Sequence, residues 1–233
     1  MWIDLGFSLI DPSFGPDVYR LSPEIGFAFR TGPSSTFDLI FPAAFGDGSG
    51  ENGPANPVLA YSRWIDAGPG VLQLGGLATI PLTAAFDNLS SRLAGADALR
   101  GWWDAWRWFD GLSLIAQARY QWRGGRFDVG GSFAMGAVVP IGDGADSAVF
   151  TAQLGVAPFL RLGERSGIGL DLRGVWRPWL DGAFQVSMVP RFRFAVGGAD
   201  LDLWVNLNLD EPLGFAFDKH AVWGLGSTLG FPL

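Results

Sequence analysis

Arginine is the residue whose type and spacing could do chemistry in this chain. Gln117, Arg119, Gln121 and Arg123 recur two apart, and Arg126 follows the Gly124-Gly125 pair. Alternate residues of an extended chain share a face, so these side chains stand as a row of hydrogen-bond donors. The pattern returns in Asp171 with Arg173 and in Arg191 with Arg193. Arg30, Asp38, Asp128 and Asp202 fall on the same kind of face in other segments. Fixed guanidinium groups with carboxylates between them can bind or guide small anions, or can simply pair with those carboxylates and fill the interior; on the first reading these residues are the candidate solute path. Nothing beside them suggests catalysis. His220 is the only histidine, it neighbours Asp218, and no Gly-x-Ser-x-Gly accompanies it. No Gly-rich phosphate loop precedes a helix, and the acidic loops lack the spacing of a calcium site. Neither cofactor nor metal is expected.

The elements that would hold such a row are long strands. Around Arg123-Gly124-Gly125, Leu112, Leu114, Ala116, Ala118, Tyr120 and Trp122 alternate with Ser113, Gln117, Arg119, Gln121 and Arg123. On the return, Phe127, Val129, Phe133, Met135, Ala137 and Val139 alternate with Arg126, Asp128, Gly130, Ser132, Ala134 and Gly136. Period-2 alternation over this length is the signature of a strand. A face this rich in arginine is too wet for a soluble core, and its opposite is too apolar for a soluble surface. Lipid outside and water inside satisfies both.

Composition agrees. The 233 residues are 48% hydrophobic and 17% charged, with 34 glycines, 11 tryptophans, no cysteine, and Lys219 as the sole lysine. A net charge of −7 argues against a nucleic-acid partner. Met1-Trp2-Ile3-Asp4 has neither the basic nor the apolar region of a signal peptide, so a mature exported chain is expected. Residues 67–86 lack charge and are long enough for a membrane helix. Gly68, Pro69, Gly70, Gly75, Gly76 and Pro81 break such a helix and favour a strand with flanking turns.

Further alternating segments are read at 2–10, 22–30, 36–45, 57–66, 71–82, 148–162, 168–176, 183–196, 201–209 and 221–233. With the hairpin they make about twelve strands. The facing of 57–66 stays open. Connections alternate between long (11–21, 46–56, 83–109, 141–146, 177–182, 210–220) and short (31–35, 67–70, 123–125, 163–167, 197–199). An all-β, closed, up-and-down antiparallel transmembrane β-barrel in one domain, 1–233, predicts this rhythm. Its short turns and both termini would be periplasmic and its long loops external. Arginines cluster near the short turns, Arg63, Arg161 and Arg165 among them. Acids such as Asp47, Glu51, Asp143 and Asp210 cluster in the long loops, giving a basic mouth and an acidic rim.

One connection differs. Between 83 and 109, Phe86, Leu89, Leu93, Ala96, Arg100, Trp103 and Trp106 recur three and four apart, predicting a helical external loop with Thr83 as N-cap. Its Trp102, Trp103, Trp106 and Trp108 could lie on the membrane interface, form a lid over the pore, or make a protein contact.

This alternation, the loop rhythm and the aromatic Phe231 near the end resemble the bacterial outer-membrane β-barrel proteins, over most of the chain. In that family an aromatic normally closes the last strand, whereas here Pro232-Leu233 follow it. The stretch from Gly53 to Tyr61, with Asn56-Pro57-Val58-Leu59, is also similar to the Gly-x-x-Asn-Pro-x-Leu of porin-like proteins linked to aromatic degradation. The resemblance implies residence in the bacterial outer membrane among lipid and lipopolysaccharide. It also implies passive diffusion of small polar or anionic solutes through a charged lumen. Two alternatives stand beside it: a non-transporting barrel that docks a protein partner through its external helix, and a membrane-embedded hydrolase.

Overall fold

The structure, a computed structural model, describes residues 2–10, 18–46, 53–85, 103–107, 111–141, 148–178, 184–210 and 222–231. Thirteen strands account for nearly all of them: β1 (Trp2–Ile10), β2 (Val18–Gly32), β3 (Ser35–Gly46), β4 (Gly53–Pro54), β5 (Val58–Ala67), β6 (Gly70–Thr79), β7 (Gly111–Gly124), β8 (Phe127–Pro140), β9 (Val149–Arg161), β10 (Gly167–Trp176), β11 (Phe184–Val196), β12 (Ala199–Asn208) and β13 (Val222–Gly230). Twelve are long, at 9 to 15 residues, which is the length needed to cross a hydrocarbon layer. The two-residue β4 adds only a short pairing to the end of β3.

All pairings are antiparallel, and from β5 to β13 each strand pairs with its sequence neighbours. β13 continues to β1, β1 to β2, β2 to β3 and β3 to β5. Each of the twelve long strands therefore has hydrogen-bonded neighbours on both edges. Trp2 pairs with Gly230 towards the end where the short turns lie. Four of the five short turns hold two residues between strands. In three of these the first residue is a glycine at positive φ: Gly68, Gly125 and Gly197. Primed hairpin turns demand that conformation.

The alternation seen in the sequence is realised with apolar residues exposed and polar ones buried. Leu154 is 62% exposed, Phe150 58% and Leu114 53%, while Gln185 and Asn206 are fully buried. Leaving one Leu or Phe side chain in water rather than in hydrocarbon costs about 1.5–3 kcal/mol. A surface of such residues over so many strands is poorly suited to water. Among the described residues no helix is long and apolar enough to cross a membrane.

Three differences from the sequence reading have a local cause or bear on the insertion. β2 begins at Val18, inside the loop expected over 11–21, because the Pro, Gly and Asp residues before it masked the alternation at its start. β6 stops at Thr79 rather than at Leu82, since Pro81 offers no N–H to the ladder. The helix expected over 83–109 is described only at its ends, as single 3-10 turns at Leu82–Ala85 and Ala105–Arg107. Residues 86–102 and 108–110 lie outside the described residues. Thr83 lies inside the first of these turns, where its N–H and its hydroxyl both donate to Asn56 Oδ1, at 3.0 and 2.9 Å, and the helix it was expected to cap lies outside the described residues.

Candidate functional site

The buried face of the sheet carries a network of charges built by register. On β10, Arg173 donates to Asp171, two residues away on the same face, at 3.1 Å. Asp171 also accepts from Arg191 of β11 at 3.3 Å. Arg191 reaches onward to Asp202 of β12. Arg193 sits directly opposite Asp202 in the ladder and donates to it at 2.8 Å. Asp128 of β8 and Arg161 of β9 form a bidentate pair at 2.7 and 2.9 Å. Cross-strand and diagonal neighbours of opposite sign attract in this way, and paired geometry offsets the cost of taking charges out of bulk water. Gly169 keeps the network flat against the wall. A Cβ there would lie 3.1 Å from Arg191 Cγ.

The neighbouring strand is different. Arg119 and Arg123 of β7, which pairs with β8, make no ion pair among the described residues. They line cavities with Gln73, Gln121 and Trp64 instead.

Three cavities run along the interior. The first, at the short-turn end, is bounded by Arg123, Asp128, Arg161, Arg191 and Arg193. The second, of about 420 Å³, has Arg119, Arg123, Arg173 and Arg191 around Trp64 and Trp103. The third reaches Glu24, Asp38, Gln117, Trp106 and Arg107. The first and second share Arg123, Asp171 and Arg191, and the second and third share Gln73 and Arg119. They form one run.

Of the sequence-derived path, Asp38, Gln117, Arg119, Arg123, Asp128, Asp171, Arg173, Arg191 and Arg193 border this run, and Asp202 is buried against it. Arg30 and Arg126 are exposed beside the short turns and border none of these cavities. Of the four tryptophans, Trp102 and Trp108 lie outside the described residues.

Trp103 and Trp106 lie among interior residues, on neither the rim nor the outer face. Trp106 is 3% exposed and packs with Ile115, Ala134 and Val138. Ser113 donates to its carbonyl at 3.0 Å. Trp103 lies over Arg173, with the guanidinium carbon 5.1 Å from the ring centroid. Asp104 adopts a positive φ of 63°. Its backbone N–H donates to the Gln153 amide oxygen at 2.9 Å, and the Gln153 amide nitrogen donates to its Oδ1 at 3.3 Å. Arg107 pairs with Asp104 at 3.2 Å and with Glu24 on β2. This five-residue segment thus touches β2, β7, β8, β9 and β10 from within.

Glu24, Arg107, Gln153 and Trp64 are absent from the sequence-derived path. Glu24 alternates correctly with Gly26 and Arg30, a signal that was available. Trp64 fell on the segment whose facing was open. Nothing local marks Arg107 or Gln153. The acidic rim lies mainly outside the described residues. Asp210 is described, and it is engaged rather than free: Oδ1 accepts from Val186 N at 2.7 Å and from Gln185 Nε2 at 2.6 Å. His220 lies outside the described residues too. Among the described residues no cluster could hold a metal ion.

No family model and no curated protein matches the sequence. Solved structures do match in shape. The NanC porin aligns with a TM-score of 0.63 at 7% identity, over 99% of this chain and all of its own. An outer-membrane channel from Pseudomonas putida F1 gives 0.62 at 13% identity, over 98% of this chain and 92% of its own. The KdgM porin gives 0.54 at 9% identity, with both chains fully covered. With twelve long antiparallel strands, an apolar exterior and a polar interior, the chain has the porin-like fold of the bacterial outer-membrane β-barrels.

Proposed function

We propose that the chain is a closed, twelve-stranded outer-membrane channel for passive diffusion of small anionic solutes. The pairing of β2 with both β1 and β3 supports closure. The observation that carries the reading is the series of three adjoining cavities lined by arginine. The arginines of β9–β11 are paired with carboxylates, while Arg119 and Arg123 make no ion pair among the described residues. Excess positive charge in a narrow aqueous path raises the local concentration of anions. The short turns and both chain ends would face the periplasm, with lipid and lipopolysaccharide around the wall. Trp103–Arg107, entering from the external side, narrows the path as a fixed constriction. Its contacts to five strands favour this over a freely moving lid.

The test is conductance of the purified chain in planar bilayers, with the reversal potential under a salt gradient. Open-channel current with a preference for chloride over potassium is the expected result. A barrel silent at all voltages would overturn the channel and return the docking reading to first place.

A further inference from the structure

The middle cavity has features that simple anion guidance does not need. Trp103 is held with its ring over Arg173. A Cβ at Gly155 would lie 2.6 Å from Ser132 Oγ and 3.2 Å from the Trp103 ring carbon Cη2, so both neighbours crowd that position. Gly130, on the neighbouring β8, differs. A Cβ there would meet only Ala157, at ordinary contact distances of 3.5 and 3.6 Å. Packing of the wall therefore does not demand glycine at 130, and what its missing side chain provides is room in the cavity. The volume of about 420 Å³ falls in the range of small-molecule sites, about 300–1,000 Å³. Four arginines share this cavity with one carboxylate: Asp171 engages Arg173 and Arg191, and Arg119 and Arg123 on β7 make no ion pair among the described residues, Asp128 opposite Arg123 in the ladder being held by Arg161.

We infer that this chamber is a binding station for a small carboxylate with a flat apolar body. The carboxylate meets Arg119 or Arg123 and the flat face lies against Trp103. The inference rests on the channel reading for its role in transport, but binding itself does not require conduction. Guanidinium donors alone would hold chloride, phosphate or acetate equally well. An aromatic surface beside them adds selectivity for a planar body, since ring contacts add to what area burial alone supplies. An apolar pocket alone would prefer the neutral alcohol. Together the two walls select the aromatic anion over both.

The experiment is calorimetric titration of the full chain in detergent with benzoate, acetate and benzyl alcohol, run beside single-channel current in the presence of each. Benzoate should bind about tenfold more tightly than acetate, an increment that ring contacts can supply, and should produce resolved blocking events. Trp103→Leu should remove most of the preference for benzoate over acetate, and Trp103→Phe should keep it. Arg119→Gln with Arg123→Gln should weaken both carboxylates. Gly130→Leu, filling the cavity from a wall position that tolerates a side chain, should abolish binding. Arg165→Gln, at an exposed pair with Asp200, should change nothing. Heat-modifiable migration on gels checks that each variant is folded. Equal affinity for benzoate and acetate, or an unchanged preference in a folded Trp103→Leu variant, overturns the station. Conductance without benzoate binding removes the station and leaves the channel. Benzoate binding without conductance keeps the site and removes the channel.

Discussion

Arg107 forms an ion pair with Glu24 across 83 positions of sequence. Both side chains are nearly inaccessible, at 10% and 6%. The pair joins the inserted turn to the wall strand β2, on the far side of the interior from the Trp106 cluster on β7 and β8. The turn is therefore braced at both sides, which holds it in one place inside the sheet.

Removing one member of that brace should loosen the turn without unfolding the sheet. Breaking a buried pair costs about 3–5 kcal/mol, and Asp104, still 3.2 Å from Arg107, should hold the loss near the lower figure. Glu24→Gln should lower the midpoint of urea unfolding in detergent and raise single-channel conductance. A lower midpoint with unchanged conductance would mean that the turn does not set the width of the path.

Asn56 pins both ends of the insertion. Its side-chain oxygen accepts two hydrogen bonds from Thr83, where the chain leaves β6. Its backbone N–H donates to Arg107 O at 3.0 Å, just before β7. Asn56→Ala strips the partner from two Thr83 donors while leaving the backbone bond. Each buried donor left unsatisfied costs about 1–3 kcal/mol. The expected outcome is limited proteolysis near residues 84–106 at protease levels that spare the parent, with the strands still resistant. Cleavage equal to the parent's would show that other contacts hold the insertion.

The strands were legible because a sheet with lipid on one face and water on the other imposes an uninterrupted period of two. Phe133, Met135 and Val139 on β8 and Phe150 and Leu154 on β9 needed no partner to be assigned outward. The loop rhythm followed from hairpin geometry, as glycines at 68, 125 and 197 marked the tight turns. β5 was ambiguous because Arg63 points outward beside a short turn while Val58 points inward, so hydrophobicity and facing disagree there. The constriction was illegible for another reason. Glu24 with Arg107, and Asp104 with Gln153, are contacts between segments far apart in sequence, and tertiary pairing of that kind leaves no periodic trace. The tryptophans suggested an interface because that is where isolated tryptophans gain most. The hydrophobic cluster of Ile115, Ala134 and Val138 inside the sheet offered Trp106 a better burial.

Asp202 is the acceptor shared by Arg191 and Arg193, so it decides how much positive charge that wall presents. Asp202→Asn removes one negative charge and leaves both guanidiniums partly unpaired. Anion selectivity should increase, read as a shift of the reversal potential towards that of chloride. Arg119→Gln should shift it the other way. Folding should also weaken, because Arg191 and Arg193 lose charge-assisted bonds. No movement of the reversal potential in a folded Asp202→Asn variant would mean that ions do not pass this network.

The lipid-facing assignment can be tested at two residues of the β9 chain segment. Leu154 is mid-strand, paired with Phe133 and Gly174, and is 62% exposed. Leu162 is comparably exposed at 60% but lies just past the end of β9, in the short turn. Exposure alone predicts that arginine is harmless at both. A hydrocarbon layer predicts otherwise. Arginine at the midplane costs about 2–4 kcal/mol and near the interface about 0–1. Leu154→Arg should therefore destabilise folding into lipid vesicles severely, and Leu162→Arg should fold almost as well as the parent. The depth dependence is the informative part, since a general packing defect would not grade with distance from the turn. Equal tolerance at the two positions, or a parent chain that stays soluble and folded without detergent, would remove the membrane from the account. The buried arginines would then need a wholly different explanation.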